Sequence, residues 1–293
     1  MQNESARCSN VVVKPVWIPV LNAGNASRLL TSALVLSIVA GCSDRQVLGP
    51  SGLDLAPVAA VVPISNEPSG MSLLSARAFN ARVEDGWLDR GGLAFSVKPD
   101  ATAPSSANIG SAFYHVGYVA GTAPINTWHT VPGNMTTIYL AFSVRLSPNW
   151  VGHSSGVGKI FHLWIGGFNR VVLSATGVGS APLRARISLQ RANIPGGSLN
   201  LDPYPAAPDL TRGVWHRWEV IAVANTGGQA NGSIQWWVDG VPAGSVTGLN
   251  IVPANCLNRW TQVNWNPTWG GQLGTTLPAS QTMDMDDVRL SAK

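Results

Sequence analysis

The chain has 293 residues, of which 12% are charged, with 31 glycines, 20 prolines and a formal net charge of +4. So few charges and so many turn formers argue against a helical cytosolic enzyme and suit a secreted β-sandwich, a class that uses roughly 200–250 residues as one domain. The positive charge is carried mostly by arginine, which suits bidentate recognition of carboxylate or sulfate. No basic run or nucleic-acid motif is present, so a nucleic-acid partner is not expected.

Residues 29–41, LLTSALVLSIVAG, form an apolar run of 13 that follows Arg28. The run is too short to span a bilayer and fits the core of a signal peptide. Val39-Ala40-Gly41-Cys42 resembles a bacterial lipobox. That resemblance implies a signal peptide over 1–41 and lipid attachment at Cys42. It also implies a place in the bacterial cell envelope, as an outer-membrane or cell-surface lipoprotein held to the membrane by its lipid. Residues 42–70 mix Pro, Ser, Gly and small apolar residues without period, the composition of a flexible tether. The body is then 71–293. Of Cys8, Cys42 and Cys256 it holds only the last, so no disulfide can form within it, and a hydrophobic core must hold it together. A monomer is expected.

Strands are expected at 93–97 and 111–119. Thr137–Leu146 alternates, with Ile138, Leu140, Phe142, Val144 and Leu146 on one face and Tyr139, Ser143 and Arg145 on the other. Lys159–Ile165 is a more continuous apolar run. Leu183–Gln190 alternates again, with Arg184 and Arg186 outward. The stretch from Gly213 to Val246 carries Asn231-Gly232 and Asp239-Gly240, dipeptides that tolerate the positive φ angles of type I′ turns. It reads as a three-strand meander, about 214–224, 233–238 and 241–247. A last strand is expected over 283–290. Nine strands and no convincing helix predict an all-β fold, an antiparallel sandwich of two packed sheets.

Particular residues carry a family likeness. Trp215-His216, Trp237-Val238-Asp239-Gly240 and Asp286-Asp287-Val288-Arg289-Leu290 resemble the concanavalin A-like lectin/glucanase superfamily, and its laminin-G-like branch in particular. Gly152-His153-Ser154-Ser155-Gly156-Val157-Gly158-Lys159 and Asn266-Pro267-Thr268-Trp269-Gly270-Gly271 look like bacterial jelly-roll proteins related to polysaccharide lyases. The resemblance implies a concanavalin A-like jelly roll and a polysaccharide partner. It does not choose an activity, because lectins, hydrolases, lyases and inert modules share this fold. The paired-glutamate strand of the superfamily's retaining glucanases is missing, since the body holds only Glu84 and Glu219.

The leading expectation is therefore a surface lipoprotein that binds an acidic polysaccharide on a concave face. The alternative is a polysaccharide lyase that cleaves a uronate polymer by β-elimination, and a third reading is a structural or protein-binding module. Substrate binding is expected from Arg145, Arg184, Arg186, Arg217 and Glu219, outward by strand parity and brought into one groove if their strands are neighbours. Indoles stack on sugar faces, which adds Trp237, Trp265 and Trp269. A lyase needs a base and a group that neutralises the uronate carboxylate. His153, Lys159, His162 and Tyr139 are the candidates, while His216 is expected to make a structural hydrogen bond. No metal-ligand spacing occurs. Asp284, Asp286 and Asp287 are a candidate Ca²⁺ set, with Asp287 opposite the other two, and no other cofactor is expected.

Overall fold

The computed structural model describes residues 65–90, 92, 94–105, 107–166, 169–190, 197–271 and 274–293. The expected signal segment and Cys42 lie outside them. Fifteen strands appear in chain order: β1 Ser72–Arg77, β2 Trp87–Asp89, β3 Phe95–Pro99, β4 Asn108–Tyr114, β5 Thr127–Thr130, β6 Thr137–Leu146, β7 Val157–Ile165, β8 Asn169–Thr176, β9 Arg184–Gln190, β10 Ser198–Leu201, β11 His216–Val223, β12 Gly232–Val238, β13 Val241–Leu249, β14 Trp260–Trp265 and β15 Gln281–Ala292. No helix occurs among the described residues.

The strands build two antiparallel sheets. One has eight strands in the order β13-β12-β11-β6-β15-β4-β3, with β1 also paired to β15. The other has seven, in the order β10-β9-β8-β7-β14-β5-β2. The chain is an all-β jelly-roll sandwich. One hydrophobic core lies between the sheets, and alternation supplies it. Ile138, Leu140, Phe142 and Val144 of β6 face Leu163 and Ile165 of β7, Leu173 of β8 and Ile187 of β9 within it. Because the side-chain period is two, each strand that feeds this core sends its other residues outward.

The hairpin between β12 and β13 forms at Asp239 and Gly240, with φ of 52° and 75°, the signs a type I′ turn needs. Asn231-Gly232 does not make such a turn. Eight residues, 224–231, separate β11 from β12, and Asn231 ties that loop by accepting from the Thr226 N–H at 2.8 Å. β1, β2, β5, β8, β10 and β14 were not expected from the sequence. Most are short or interrupted by polar residues, and they are strands because neighbours pair with them.

The described end of the expected tether is docked. The Asn66 N–H donates to Glu219 Oε2 at 2.8 Å, Arg289 pairs with Glu67 at 2.6 Å, and the Lys293 ammonium donates to Ser69 O at 3.3 Å. Cys256 has a disulfide partner that lies outside the described residues.

Trp236 of β12 enters the core and donates its indole N–H to Ala185 O at 3.0 Å, bridging the two sheets. Gly244, opposite it on β13, leaves room for the indole, and a Cβ there would overlap the six-membered ring. Gly244→Ala is therefore expected to destabilise the fold by about 1–3 kcal/mol through overpacking, read as a lower urea midpoint at unchanged slope.

Candidate functional site

The outer face of the seven-stranded sheet is polar where its inner face is not. Register sets out its rows. Arg186, Ser174 and Lys159 lie side by side on β9, β8 and β7. The next row is Ser188, Val172, His162, Asn264 and Trp128, on β9, β8, β7, β14 and β5. The third is Gln190, Arg170, Trp164, Gln262 and Thr130.

A β-bulge makes the central cluster possible. Strict alternation along β7 would send Lys159 to the core side with Phe161 and Leu163. The register instead shifts between Lys159 and Phe161: Lys159 pairs with Ser174 and Phe161 with Leu173, so Ile160 is the extra residue. Ile160 and Phe161 are both fully buried in the core. Lys159 joins His162 and Trp164 on the outer face, among side chains that rise from the middle of the sheet.

The electrostatics of this cluster are unusual. His162 is 6% exposed, and its Nε2 is buried without a hydrogen-bond partner among the described residues. Burial, then the Arg170 and Lys159 charges, push its imidazole down to about 3, so it is neutral at physiological pH. Burial first and Arg170 second lower the Lys159 ammonium below the ordinary lysine range, and burial lowers Arg170. Among the described residues no carboxylate lies within 4.0 Å of a Lys159 or Arg170 side-chain nitrogen. Arg170 is held by its Nε donating to Gln190 Oε1 at 2.8 Å and by the Trp164 ring, 5.0 Å from its guanidinium carbon. Asn264 donates to Asn126 Oδ1 at 3.3 Å, while its own Oδ1 is buried and unpartnered, as is the Trp164 indole N–H. Two desolvated cations, a neutral imidazole and several unanswered donors and acceptors thus share one patch. Such a patch suits an anionic, hydroxyl-rich ligand.

The expected arginine groove does not form. Arg184 and Arg186 are on β9 of the seven-stranded sheet, whereas Arg145 and Arg217 are on β6 and β11 of the other, so the two pairs lie on opposite faces of the sandwich. Parity gives a residue's face within its strand but not the sheet that strand joins. Arg184 and Arg186 flank the candidate patch and pair with rim acids, Asp209 at 3.2 Å and Asp202 at 3.8 Å. Arg145 is occupied by Asp284, Asp100 and the Trp215 ring, and Arg217 by Asp287. Tyr139 is fully buried under Ser65 and donates to Glu219 Oε2 at 2.6 Å. Burial and that carboxylate raise its phenol well above the usual range, so neither residue is open to a substrate there.

His153 stands between Ser155 Oγ at 2.7 Å and Thr275 Oγ1 at 2.5 Å, with its ring edge-on to Trp269 at 4.8 Å, and so fastens one loop to another. His216 bonds Asp239 at 2.7 Å and accepts from the Thr211 N–H, the structural role expected. Trp265 and Trp269 are buried, the first against Phe79 and Phe95 and the second with its N–H on Val151 O at 2.8 Å. The polar stretch that holds them folds as β14 and a bridge to β7, which carries both indoles inward. Trp237 is half-buried on the outer face of the eight-stranded sheet, opposite Glu219. Asp284, Asp286 and Asp287 all lie on that same face, because a bulge after Asp286, with φ of 49° at Asp287, turns the third acid round. Arg145, Ser105 and Arg217 respectively engage them, and no group of three metal-ligating side chains occurs among the described residues.

Of the expected site residues, Lys159, His162, Arg184 and Arg186 come together. Arg170, Asn264, Trp164, Gln190 and Trp128 were not singled out. For Arg170 the signal was present: Asn169–Thr176 alternates, with Val171, Leu173 and Ala175 inward. A cavity of about 560 Å³ elsewhere, lined by Phe113, His115, Tyr118, Thr122 and Pro124, carries no lysine, arginine or carboxylate.

No family model and no curated protein matches this chain. Solved structures do match in fold. One is the alginate lyase vAL-1 from Chlorella virus, at 17% identity and a TM-score of 0.54 over 71% of this chain and 93% of that one. Another is a mutant of the alginate lyase Aly36B in complex with alginate trisaccharide, at 16% identity and a TM-score of 0.53 over 74% and 96%. At these identities the likeness shows a shared jelly-roll fold.

The buried His162 makes a pH prediction. Its folded value of about 3 lies below the unfolded value of about 6.5, so between these the unfolded chain binds a proton that the folded one refuses. Stability is full above about pH 6.5 and falls as the pH drops, by about 1.4 kcal/mol per unit from this group. Urea melts at pH 7 and pH 5 are expected to show a loss about 2 kcal/mol larger in the native protein than in His162→Gln. Equal losses would mean that the imidazole protonates freely in the fold.

Proposed function

We propose that the protein is a polysaccharide lyase that cleaves a uronate-containing polymer by β-elimination on the outer face of the seven-stranded sheet. The observation that carries this reading is the absence of a carboxylate beside Lys159 and Arg170, two partly desolvated cations around a neutral His162, among the described residues. The substrate's own carboxylate is the counter-ion the patch lacks. The fold likeness to alginate lyases supports the substrate class, since alginate is a uronate polymer.

In this reading Arg170, kept in place by Gln190 and Trp164, takes the uronate carboxylate. Neutralising that charge lowers the pKa of the neighbouring C5–H and stabilises the carbanion-like transition state. Lys159, whose amine is freed at lower pH than usual by burial and by Arg170, removes the C5 proton. The electron pair left on C5 forms the C4–C5 double bond while the C4–O bond breaks. The ammonium just formed on Lys159 returns a proton to the departing glycosidic oxygen. His162 Nε2 and Asn264 Oδ1 take polar groups of the sugar. An extracellular location suits a polymeric substrate.

Incubation with a panel of uronate polymers is expected to raise ultraviolet absorbance as the unsaturated product accumulates. Lys159→Ala is expected to lower kcat by about 10²–10⁴-fold, the range for losing a general acid–base, while the polymer still binds. The rate should rise with pH along a limb that lies below the ordinary lysine value of about 10.4. Binding without an unsaturated product would make this a carbohydrate-binding protein.

A further inference from the structure

The outer face of the seven-stranded sheet carries a second indole–guanidinium pair. Trp128 of β5 is half-buried, and the guanidinium carbon of Arg90 lies 5.4 Å from its ring centroid. Arg90 directly follows β2, where Leu88 pairs with Trp128 and Asp89 with Thr127. Alternation therefore puts Arg90 on the face of Leu88 and Trp128, and its backbone N–H continues the ladder to Asn126 O at 3.3 Å. Among the described residues no carboxylate lies within 4.0 Å of a side-chain nitrogen of Arg90.

The arrangement repeats that of Arg170 over Trp164, and β14 alone separates β5 from β7. The two indoles are thus two strand spacings apart, about 10 Å, and one row of side chains out of line, while their arginines rise from the strands on the far side of each, β8 and the end of β2. Between them Asn264 reaches Asn126 with its amide and leaves a buried acceptor unused. A chain of sugars laid across the strands would meet one pair, then the asparagine, then the other.

We infer that Arg90 and Trp128 form a second uronate-binding subsite, so that the protein selects polymers with carboxylates on several neighbouring sugars over those with isolated uronates. This rests on the function proposed above. The chemistry is the same at both pairs. An indole lies against the C–H face of a pyranose, while a guanidinium takes a carboxylate with two parallel hydrogen bonds. The cation–π contact with the ring holds the guanidinium near its place in advance, so less side-chain freedom is lost when the carboxylate arrives. Two such subsites on one rigid sheet act together, and the second adds its affinity without a second loss of translational freedom.

Calorimetric titration with oligouronates of two and six sugars, beside turnover of a uronate polymer, tests this. The native protein is expected to bind the hexasaccharide more tightly than the disaccharide. In Arg90→Ala and in Trp128→Ala the ratio of hexasaccharide to disaccharide affinity falls about tenfold, and KM for the polymer rises more than kcat falls. Arg90 is exposed, so its variant is expected to fold, which circular dichroism checks. An unchanged affinity ratio in both variants overturns the subsite and leaves the lyase reading standing. A ratio that depends on Arg90 in a protein that makes no unsaturated product keeps the subsite and overturns the cleavage. No binding to either oligosaccharide overturns both.

Discussion

The apolar contact between the two sheets places every functional group in this protein. One core takes alternate residues from both layers, and Phe142, Leu163, Leu173 and Ile187 within it are fully buried. A side chain's direction is therefore settled by which neighbour of its own strand is in that core. Any strand that slipped by one residue would expose its apolar set and bury its charges, at a cost of several kcal/mol for a few side chains. The polar rows on the outer faces inherit their order from this constraint.

The two outer faces are treated very differently. On the eight-stranded sheet each long charged side chain meets an opposite charge or a donor. Arg145 lies between Asp100 and Asp284, Arg217 is against Asp287, Arg289 against Glu67, and Glu219 receives Tyr139 and Asn66. The segment at 65–67 covers part of that face. Such networks satisfy the charges they contain and fix the sheet.

On the seven-stranded sheet the acids are at the rim, on Asp202 and Asp209, while Lys159, Arg170 and His162 stand at the centre. Partial loss of water disfavours ionisation at all three groups, and neighbouring positive charge adds to it at His162 and Lys159, so the lowered values express that cost. A fold built for stability alone would place a carboxylate among them. Keeping the patch cationic costs stability, a trade that under the proposed function leaves room for an anionic substrate.

How much of this was legible in the sequence depends on whether the information was local. Alternation is local, so Thr137–Leu146 and Leu183–Gln190 declared their strands and their inward faces, and Asp239-Gly240 its hairpin. Lys159 and His162 stood out as titratable residues in one segment. What no local rule contains is the pairing of strands distant in sequence. Arg145 and Arg184 are both outward by parity, yet they face away from each other because β6 and β9 joined different sheets. The same holds at finer scale for the bulge at Ile160. By spacing alone Lys159 and His162, three residues apart, point to opposite sides of a strand. One extra residue, admitted because Ile160 and Phe161 both fit the core, turns them to the same side. The sequence by itself determined an all-β sandwich and the chemical types available to it. The tertiary structure decided which of those side chains meet, because only long-range pairing and core packing choose the sheet and the register.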